Sequence, residues 1–492
     1  MFSAGILAAL GFPPVANIVP LLVSVVIVIL VLRRNSRTGR LLRLDAALGL
    51  TYGFAFFGTL LWWMNIIGHE AYVVVVAAES LFFSAAFVCL RLVLRFRLWP
   101  WWTSLVWVAF EYLRGTVPFG GLPWGRLAYA TVDTPFESYA RLVGLPLTSG
   151  VVFFAGALVA MSLRNPRRAW HPAAALAVLV GAGIALPTGV ADGGVEKRVA
   201  LVQGDVPVLF EPWPRGEILV KHLMETSDLA RAIRSGVLPQ PDLVLWPENS
   251  TDIDPLSDAT TRQSIQRAVI DVGAPILVGA IIDGPTPQSA YNVGIAWSES
   301  GPSGMYTKQK LVPFGEYVPF RGALGGLSSR LDREVPRDMI PGDAPGIMEV
   351  AGITLGDMIC WDVAQDQIVR QTVESGAEAL VVQTSNASFT GTAQPSQQWQ
   401  ISRLRAIQSA RSVLVPSTNG ITGVIDAQGN EVARAPTRTP ATVSATIELG
   451  RGLTWGVRVG DRAQAPVAAL AFLATAVAIA HRRRSGLHPR RR

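Results

Sequence analysis

Histidine, cysteine and lysine are the scarce residues of this 492-residue sequence, with five, two and four copies. Charged residues make up only 16% of it and half of it is hydrophobic, which excludes a disordered chain and argues against a wholly soluble one. The length suits two or three domains. Between residues 191 and 462 there is one histidine, His222, and one cysteine, Cys360. A Ser-His-Asp triad there would have to use His222, and a His/Cys zinc site cannot be assembled. The other cysteine, Cys89, lies in a long apolar run, so a disulfide with Cys360 is geometrically implausible. No phosphate-binding glycine loop, internal repeat or low-complexity tract is present.

The formal net charge of +7 would conventionally point to nucleic acid, but its distribution argues against that partner. Residues 1–190 carry 14 arginines and six acids, residues 191–462 carry 23 basic and 30 acidic residues, and residues 463–492 carry six arginines and no acid. The polar segment is therefore acidic, and the basic surplus sits beside apolar runs. Those runs fall at 1–12, 15–32, 46–67, 72–94, 98–113, 143–163, 172–187 and 465–480. A helix needs about 20 apolar residues to span a bilayer, so the first is short. It also lacks the positive flank of a signal peptide. Arginine clusters follow the second, fourth, sixth and last runs, as alternating spans with one cytoplasmic face require. The expected organisation is a membrane domain of six to seven spans over 1–190 and an extracytoplasmic catalytic domain over 191–462. A final span and a basic cytoplasmic tail follow over 463–492, in a multi-pass protein of the cell membrane. Glu79 and Glu111 fall inside apolar runs, where a carboxylate is costly; pairing of Glu79 and an interfacial place for Glu111 are expected. The connection 114–141 is expected to pack against the polar domain or the lipid headgroups.

From Arg198 the pattern changes to short β-branched runs alternating with amphipathic stretches. Strands are expected at 199–203, 243–246, 276–282, 292–297, 358–361, 379–383 and 412–416, and helices at 217–234, 258–272, 365–374 and 397–410. Residues 426–430 read as a hairpin turn. The alternation predicts a layered α/β domain.

Three kinds of residue there carry chemistry. Cys360 is an unpaired thiol at a strand end, on a side of the membrane where free thiols are normally avoided. Lys308 and Lys310 are retained in a chain that otherwise prefers arginine, which suggests a need for a compact ammonium at a developing oxyanion. Glu248 ends an apolar strand in the run WPEN, at the mouth where α/β sheets bind ligands.

In the contexts WPEN, K-x-x-LVPFGE and ICWD, the order Glu248, Lys308, Cys360 resembles the carbon–nitrogen hydrolase (nitrilase) superfamily. Within it the chain is similar to the membrane-embedded apolipoprotein N-acyltransferase family, with further support at 199–205, 311–319, 403–406 and 417–423. The resemblance implies a multi-span helical membrane bundle with a nitrilase-like αββα sandwich. It implies transfer of an acyl chain from a membrane phospholipid, through a Cys360 thioester, to the α-amine of a diacylglyceryl-cysteine on apolipoproteins. Glu248 would be the base, Lys308 and the backbone N–H of Trp361 the oxyanion donors, and Glu316 a supporting acid. Trp213, Asp362 and Phe389 would contact substrate. Neither cofactor nor metal is implied, and the chain is expected to act as a monomer. Trp361-Asp362 and Ala387-Ser388-Phe389 depart from the family's usual Tyr-Glu and Trp-Phe-Gly, which leaves the acyl or acceptor pocket open. Two alternatives remain: a membrane-tethered amidase or nitrilase using the same triad on a small amide, and a catalytically silent scaffold.

Overall fold

The computed structural model describes residues 1–34, 41–186, 194–206, 214–324 and 335–486. Trp213, Arg37, Arg40 and the arginines at 490–492 therefore lie outside the described residues. The chain divides into two compact units, Met1–Pro187 with Trp455–Arg492, and Thr188–Thr454.

The first unit is helical. Among the described residues, His69–Val93, Tyr139–Arg164 and Gln464–Arg482 are long and apolar enough to cross a membrane. Ile18–Arg34, Trp99–Arg114 and Trp170–Ala185 are apolar but shorter, and Phe2–Ala9 has only eight residues. At 1.5 Å per residue that last helix rises about 12 Å, well short of a hydrocarbon core of roughly 30 Å. Small residues let the backbones approach: a β-carbon on Gly53 of Leu41–Leu60 would lie 2.7 Å from the Ser80 Cα. Around this contact Phe83 stacks on Tyr52, meets Phe56 at a tilt and Trp107 edge to face.

The two acids in apolar runs are both engaged within this unit. Glu79 pairs with Arg114 at 3.5 Å, and Glu111 accepts from Trp107 Nε1 and Leu127 N at 2.9 Å each. Arg114 also donates to the carbonyls of Leu122 and Trp124 at 2.9 and 2.6 Å. These bonds fold the 114–141 connection back on its own unit. Trp124 and Leu127–Ala130 are buried there while Val117 and Phe119 stay exposed. Buried polar groups without water draw on backbone within reach, and the connection supplies the Leu122 and Trp124 carbonyls and the Leu127 amide.

The second unit is the αββα sandwich. One sheet is built from β1 (Glu196–Gln203), β2 (Leu243–Leu245), β3 (Ile276–Asp283), β4 (Ser289–Ser298), β5 (Gly301–Thr307) and the short β6 (Asp338–Met339). The other holds β7 (Gly346–Val350), β8 (Ile353–Ile359), β9 (Ala379–Gln383), β10 (Val413–Val415), β11 (Gly423–Ile425) and β12 (Glu431–Arg434). The final strand, β13 (Ala441–Glu448), returns to the first sheet beside β1. Orders are β13-β1-β2-β3-β4-β5 and β12-β11-β10-β9-β8-β7. Each sheet has three parallel strands flanked by antiparallel ones, so the two halves share one pattern although the sequence has no detectable repeat.

Side-chain alternation explains the layers. Val199, Leu201, Leu243, Leu245, Leu355, Ile359, Val381 and Leu414 fill the space between the sheets. The intervening Ala200, Val202, Val244 and Val278 face Leu219, Leu229, Ile265 and Val269 of the helices Glu217–Arg234 and Ala259–Val272. Buried on both faces, the parallel strands read as continuous apolar runs. The strand expected at 358–361 stops at Ile359, because Cys360–Ala364 forms a 3-10 turn.

Arg405, on the helix Gln394–Ser409, holds the end of that turn. Fully buried, it donates to Val363 O (2.9 Å), Ala364 O (3.1 Å), Asp366 Oδ1 (2.8 Å) and Gln408 Oε1 (2.7 Å). Losing a buried, hydrogen-bonded charge of this kind costs about 3–5 kcal/mol. Arg405→Ala should therefore markedly lower the thermal unfolding midpoint of the detergent-solubilised protein, and an unchanged midpoint would remove Arg405 from the fold's support.

Candidate active site

Three parallel-strand ends and one antiparallel edge converge at the same end of the sandwich. Glu248 follows β2, Cys360 follows β8, Thr384 and Ser385 follow β9, and Lys308 follows β5. The Glu248 loop lies directly on β3. A β-carbon on Gly279 would overlap Pro247 O and come within 2.8 Å of the Glu248 Cα, so only glycine permits the approach. Ser250 pins the same place, its hydroxyl donating to Gly279 O at 2.9 Å and accepting from Gly279 N at 3.1 Å.

Lys308 is the centre of the group. Its side chain is 2% exposed and its Nζ donates to Glu248 Oε1 at 3.1 Å and to Glu316 Oε1 at 2.7 Å. Asn292 Nδ2 donates to the same two oxygens, at 2.8 and 3.1 Å. The second oxygen of each carboxylate is held by backbone: Ser385 N on Glu248 Oε2 at 2.9 Å, and Val312 N on Glu316 Oε2 at 2.7 Å. Burial alone would lower the Lys308 ammonium, but Glu248 and Glu316, with Cys360 and Asp362, outweigh it and hold the group well above the usual lysine range. Lys308 therefore stays charged.

Cys360 takes the left-handed backbone conformation, φ 49°, at the junction of strand and 3-10 turn. Asn249 and Asn386, flanking the Glu248 and Ser385 loops, do the same at 52° and 53°. Such backbone costs about 1–3 kcal/mol per non-glycine residue and survives where surroundings overdetermine it. Here Gln398 Nε2 donates to Cys360 O at 3.2 Å, and the Thr384 hydroxyl is in hydrogen-bonding contact with the thiol. The residue is partly exposed. Desolvation and the Glu248 charge nonetheless push its thiol up to about 12, against the opposing pull of Lys308.

The other expected contacts separate. Asp362 is fully buried and serves its own chain, accepting from Tyr306 OH (2.7 Å), Lys310 N (2.9 Å) and Ile359 N (3.1 Å). Burial raises it to about 6, with Lys308 and these donors limiting the rise. These bonds brace the nucleophile turn. Trp361 and Phe389 are partly exposed, in the turns after Cys360 and after Asn386. His222 is buried against Trp246, its ring 5.8 Å away, and takes no place in the site. Among the described residues no group of three or more His, Cys, Asp or Glu side chains could hold a metal ion. Asn292 and Gln398 escaped the sequence reading. The only signal for Asn292 is a polar side chain on the apolar face of β4.

Neutralising Glu248 should lower the thiol's titration midpoint, because an anion that disfavours the thiolate goes while Lys308 stays. Glu248→Gln is thus expected to speed iodoacetamide alkylation of Cys360 near neutral pH by about tenfold or more. An unchanged pH profile of alkylation would uncouple the two residues.

Two family models match the chain: an apolipoprotein N-acyltransferase N-terminal domain over residues 4–158 and a carbon–nitrogen hydrolase domain over residues 198–456. An apolipoprotein N-acyltransferase of Mycolicibacterium smegmatis is 34% identical over 88% of this chain and 77% of its own length. One of Nitrosomonas europaea is 26% identical over 99% and 98%. Among solved structures, an amidase from Nesterenkonia sp. covers 56% of this chain and 97% of its own, with 16% identity and a TM-score of 0.38. A Saccharomyces cerevisiae member of branch 10 of the nitrilase superfamily covers 53% and 93%, with 18% identity and a TM-score of 0.40. The chain belongs to the apolipoprotein N-acyltransferase family, membrane acyltransferases of the carbon–nitrogen hydrolase (nitrilase) superfamily.

Proposed function

We propose that the protein moves an acyl chain from a membrane phospholipid to the α-amine of the diacylglyceryl-cysteine that begins an apolipoprotein, through a thioester on Cys360. The observation that carries this reading is the Cys360 thiol set against a buried Glu248–Lys308–Glu316 group, in a chain whose other unit consists of apolar helices. The names of its relatives agree with it.

Glu248, Glu316 and Lys308 together carry one net negative charge, so a standing thiolate would add a second in a buried place. With the thiol at about 12, only about one molecule in 10⁵ is thiolate at neutral pH. Glu248 therefore acts as a general base during attack rather than as partner to a resting ion pair. It takes the thiol proton as Sγ bonds to the ester carbonyl carbon. The charge reaching the carbonyl oxygen is received by the Lys308 ammonium, which keeps a third N–H beyond those given to Glu248 and Glu316, and by the Trp361 backbone N–H. The carbon–oxygen bond breaks, Glu248 returns its proton to the leaving alkoxide, and lysophospholipid departs.

In the second half-reaction the acceptor amine attacks the thioester and gives its proton to Glu248. The carbon–sulfur bond breaks, Cys360 recovers a proton and the amide is formed. Glu316 holds Lys308 in line throughout. The arginine distribution supports an extracytoplasmic catalytic unit in a multi-pass protein, and the chain works as a monomer. Access of water to the thioester would divert the acyl chain to hydrolysis.

Mass spectrometry of the purified protein incubated with phospholipid should find an acyl thioester on Cys360, with release of lysophospholipid. A diacylglyceryl-cysteine peptide should then discharge it as an amide, and Cys360→Ala should form neither product. Hydrolysis of small amides with no acyl adduct would favour an amidase instead. Lys308→Arg keeps the charge but misplaces the donor, and acylation should fall by about 10²–10³-fold. A near-normal rate would remove Lys308 from the mechanism.

A further inference from the structure

Another buried acid, Asp357, lies beneath this group and takes no part in the chemistry above. The alternation along β8 turns Leu355, Asp357 and Ile359 to the same side, into the layer between the sheets. Asp357 is fully buried and neither carboxylate oxygen has a hydrogen-bond partner. Gln383, the last residue of β9, is also fully buried, and its Oε1 likewise has no partner. Its orientation is fixed, because Nε2 donates to Trp246 O at 2.7 Å, two residues before Glu248. A flipped amide would set oxygen against oxygen.

These unpartnered acceptors converge on one point. A β-carbon on Gly294 of β4 would overlap Asp357 Oδ2 and lie 2.6 Å from Gln383 Oε1. The hollow left by that glycine is occupied by the two oxygens. Two buried acceptors turned toward one point need a hydrogen, and a carboxylic acid can supply one.

We propose that Asp357 is a neutral carboxylic acid whose O–H donates to Gln383 Oε1, and that this bond is a positioning device. It ties the strand that delivers Cys360 to the amide that grips the Glu248 loop. The surrounding charges favour the neutral form. Burial pushes the Asp357 carboxyl well above its usual range, and the Asp362 and Glu248 carboxylates add to the rise. The Tyr306 phenol also faces it, from β5. The amide of Met358, its neighbour in the chain, favours the ionised form but makes no hydrogen bond of good geometry. Because the folded protein holds a proton that the unfolded chain releases above the ordinary carboxylate range, stability contributed by Asp357 is present at low pH and is lost as pH rises toward its raised value.

The positioning role rests on the assignment of Glu248 and Cys360 to catalysis; the protonation does not, and the test separates them. Infrared difference spectra of the whole detergent-solubilised protein, wild type against Asp357→Asn, should contain the carbonyl stretch of a protonated carboxylic acid near neutral pH. Its absence would overturn the proposal. Asp357→Asn keeps the shape and donates an amide N–H to Gln383, so its unfolding midpoint should equal or exceed that of the wild type near neutral pH and vary less with pH. Asp357→Leu leaves Gln383 Oε1 unpaired. It should lower the turnover of Cys360 acylation by about a hundredfold, the loss a misplacement of about 1 Å can cause, while Asp357→Asn stays within a few-fold of the wild type. Equal damage in both variants would overturn the proposal.

Discussion

A single ammonium, buried between two carboxylates, is the constraint around which the catalytic unit is arranged. Lys308 cannot stay charged in a dry layer without counter-ions, and Glu248 and Glu316 cannot both stay charged without Lys308 and Asn292. Each carboxylate therefore has every oxygen held, one by side chains and one by backbone. The result is a preorganised set of charges that need not rearrange when a negative charge develops on a bound carbonyl. Burial first, and then the same charges, explain the weak acidity of the thiol, since Glu248 disfavours the thiolate more than Lys308 favours it.

That arrangement depends on strand ends meeting at the right spacing. Above the apolar layer formed by Leu245, Leu355 and Val381 the inward positions turn polar, with Gln383, Asp357 and Asn292. Backbone that would be unfavourable elsewhere, at Cys360, Asn249 and Asn386, appears at these ends and turns the side chains toward one another. Arg405 fixes the far end of the nucleophile turn and Gln398 its near end. The neutral acid proposed for Asp357 belongs to this scaffold, since it joins strands whose tips carry the reacting groups.

The helical unit solves a different problem with the same rule. Glu79 is paired with Arg114, and Glu111 Oε1 accepts from an indole and a backbone amide. The 114–141 connection is drawn inward because it brings the carbonyls of Leu122 and Trp124 to Arg114. Without water, a charge in an apolar bundle recruits whatever backbone lies within reach.

Local patterns made much of this legible. Apolar runs and arginine clusters were visible as length and charge, and the strands at 379–383 and helix at 217–234 coincide with those found, because burial on both faces and amphipathic period are written residue by residue. Glu248, Lys308 and Cys360 were detectable through scarcity and context. The strands at 301–307 and 346–350 were not, since they carry no strand period and their stability comes from cross-strand partners, while 441–448 alternates Val443, Ala445 and Ile447 with polar residues and went unread. Asp362 read as a substrate contact, but the structure turns it inward to three donors. Asn292 and Gln398, like the pairing of Asp357 with Gln383, gain their meaning only from residues far away in the chain. The sequence by itself determined which groups could do chemistry and which segments avoid water, because those are properties of side chains. The tertiary structure decided which groups share a proton or a charge, because that depends on distance across two sheets.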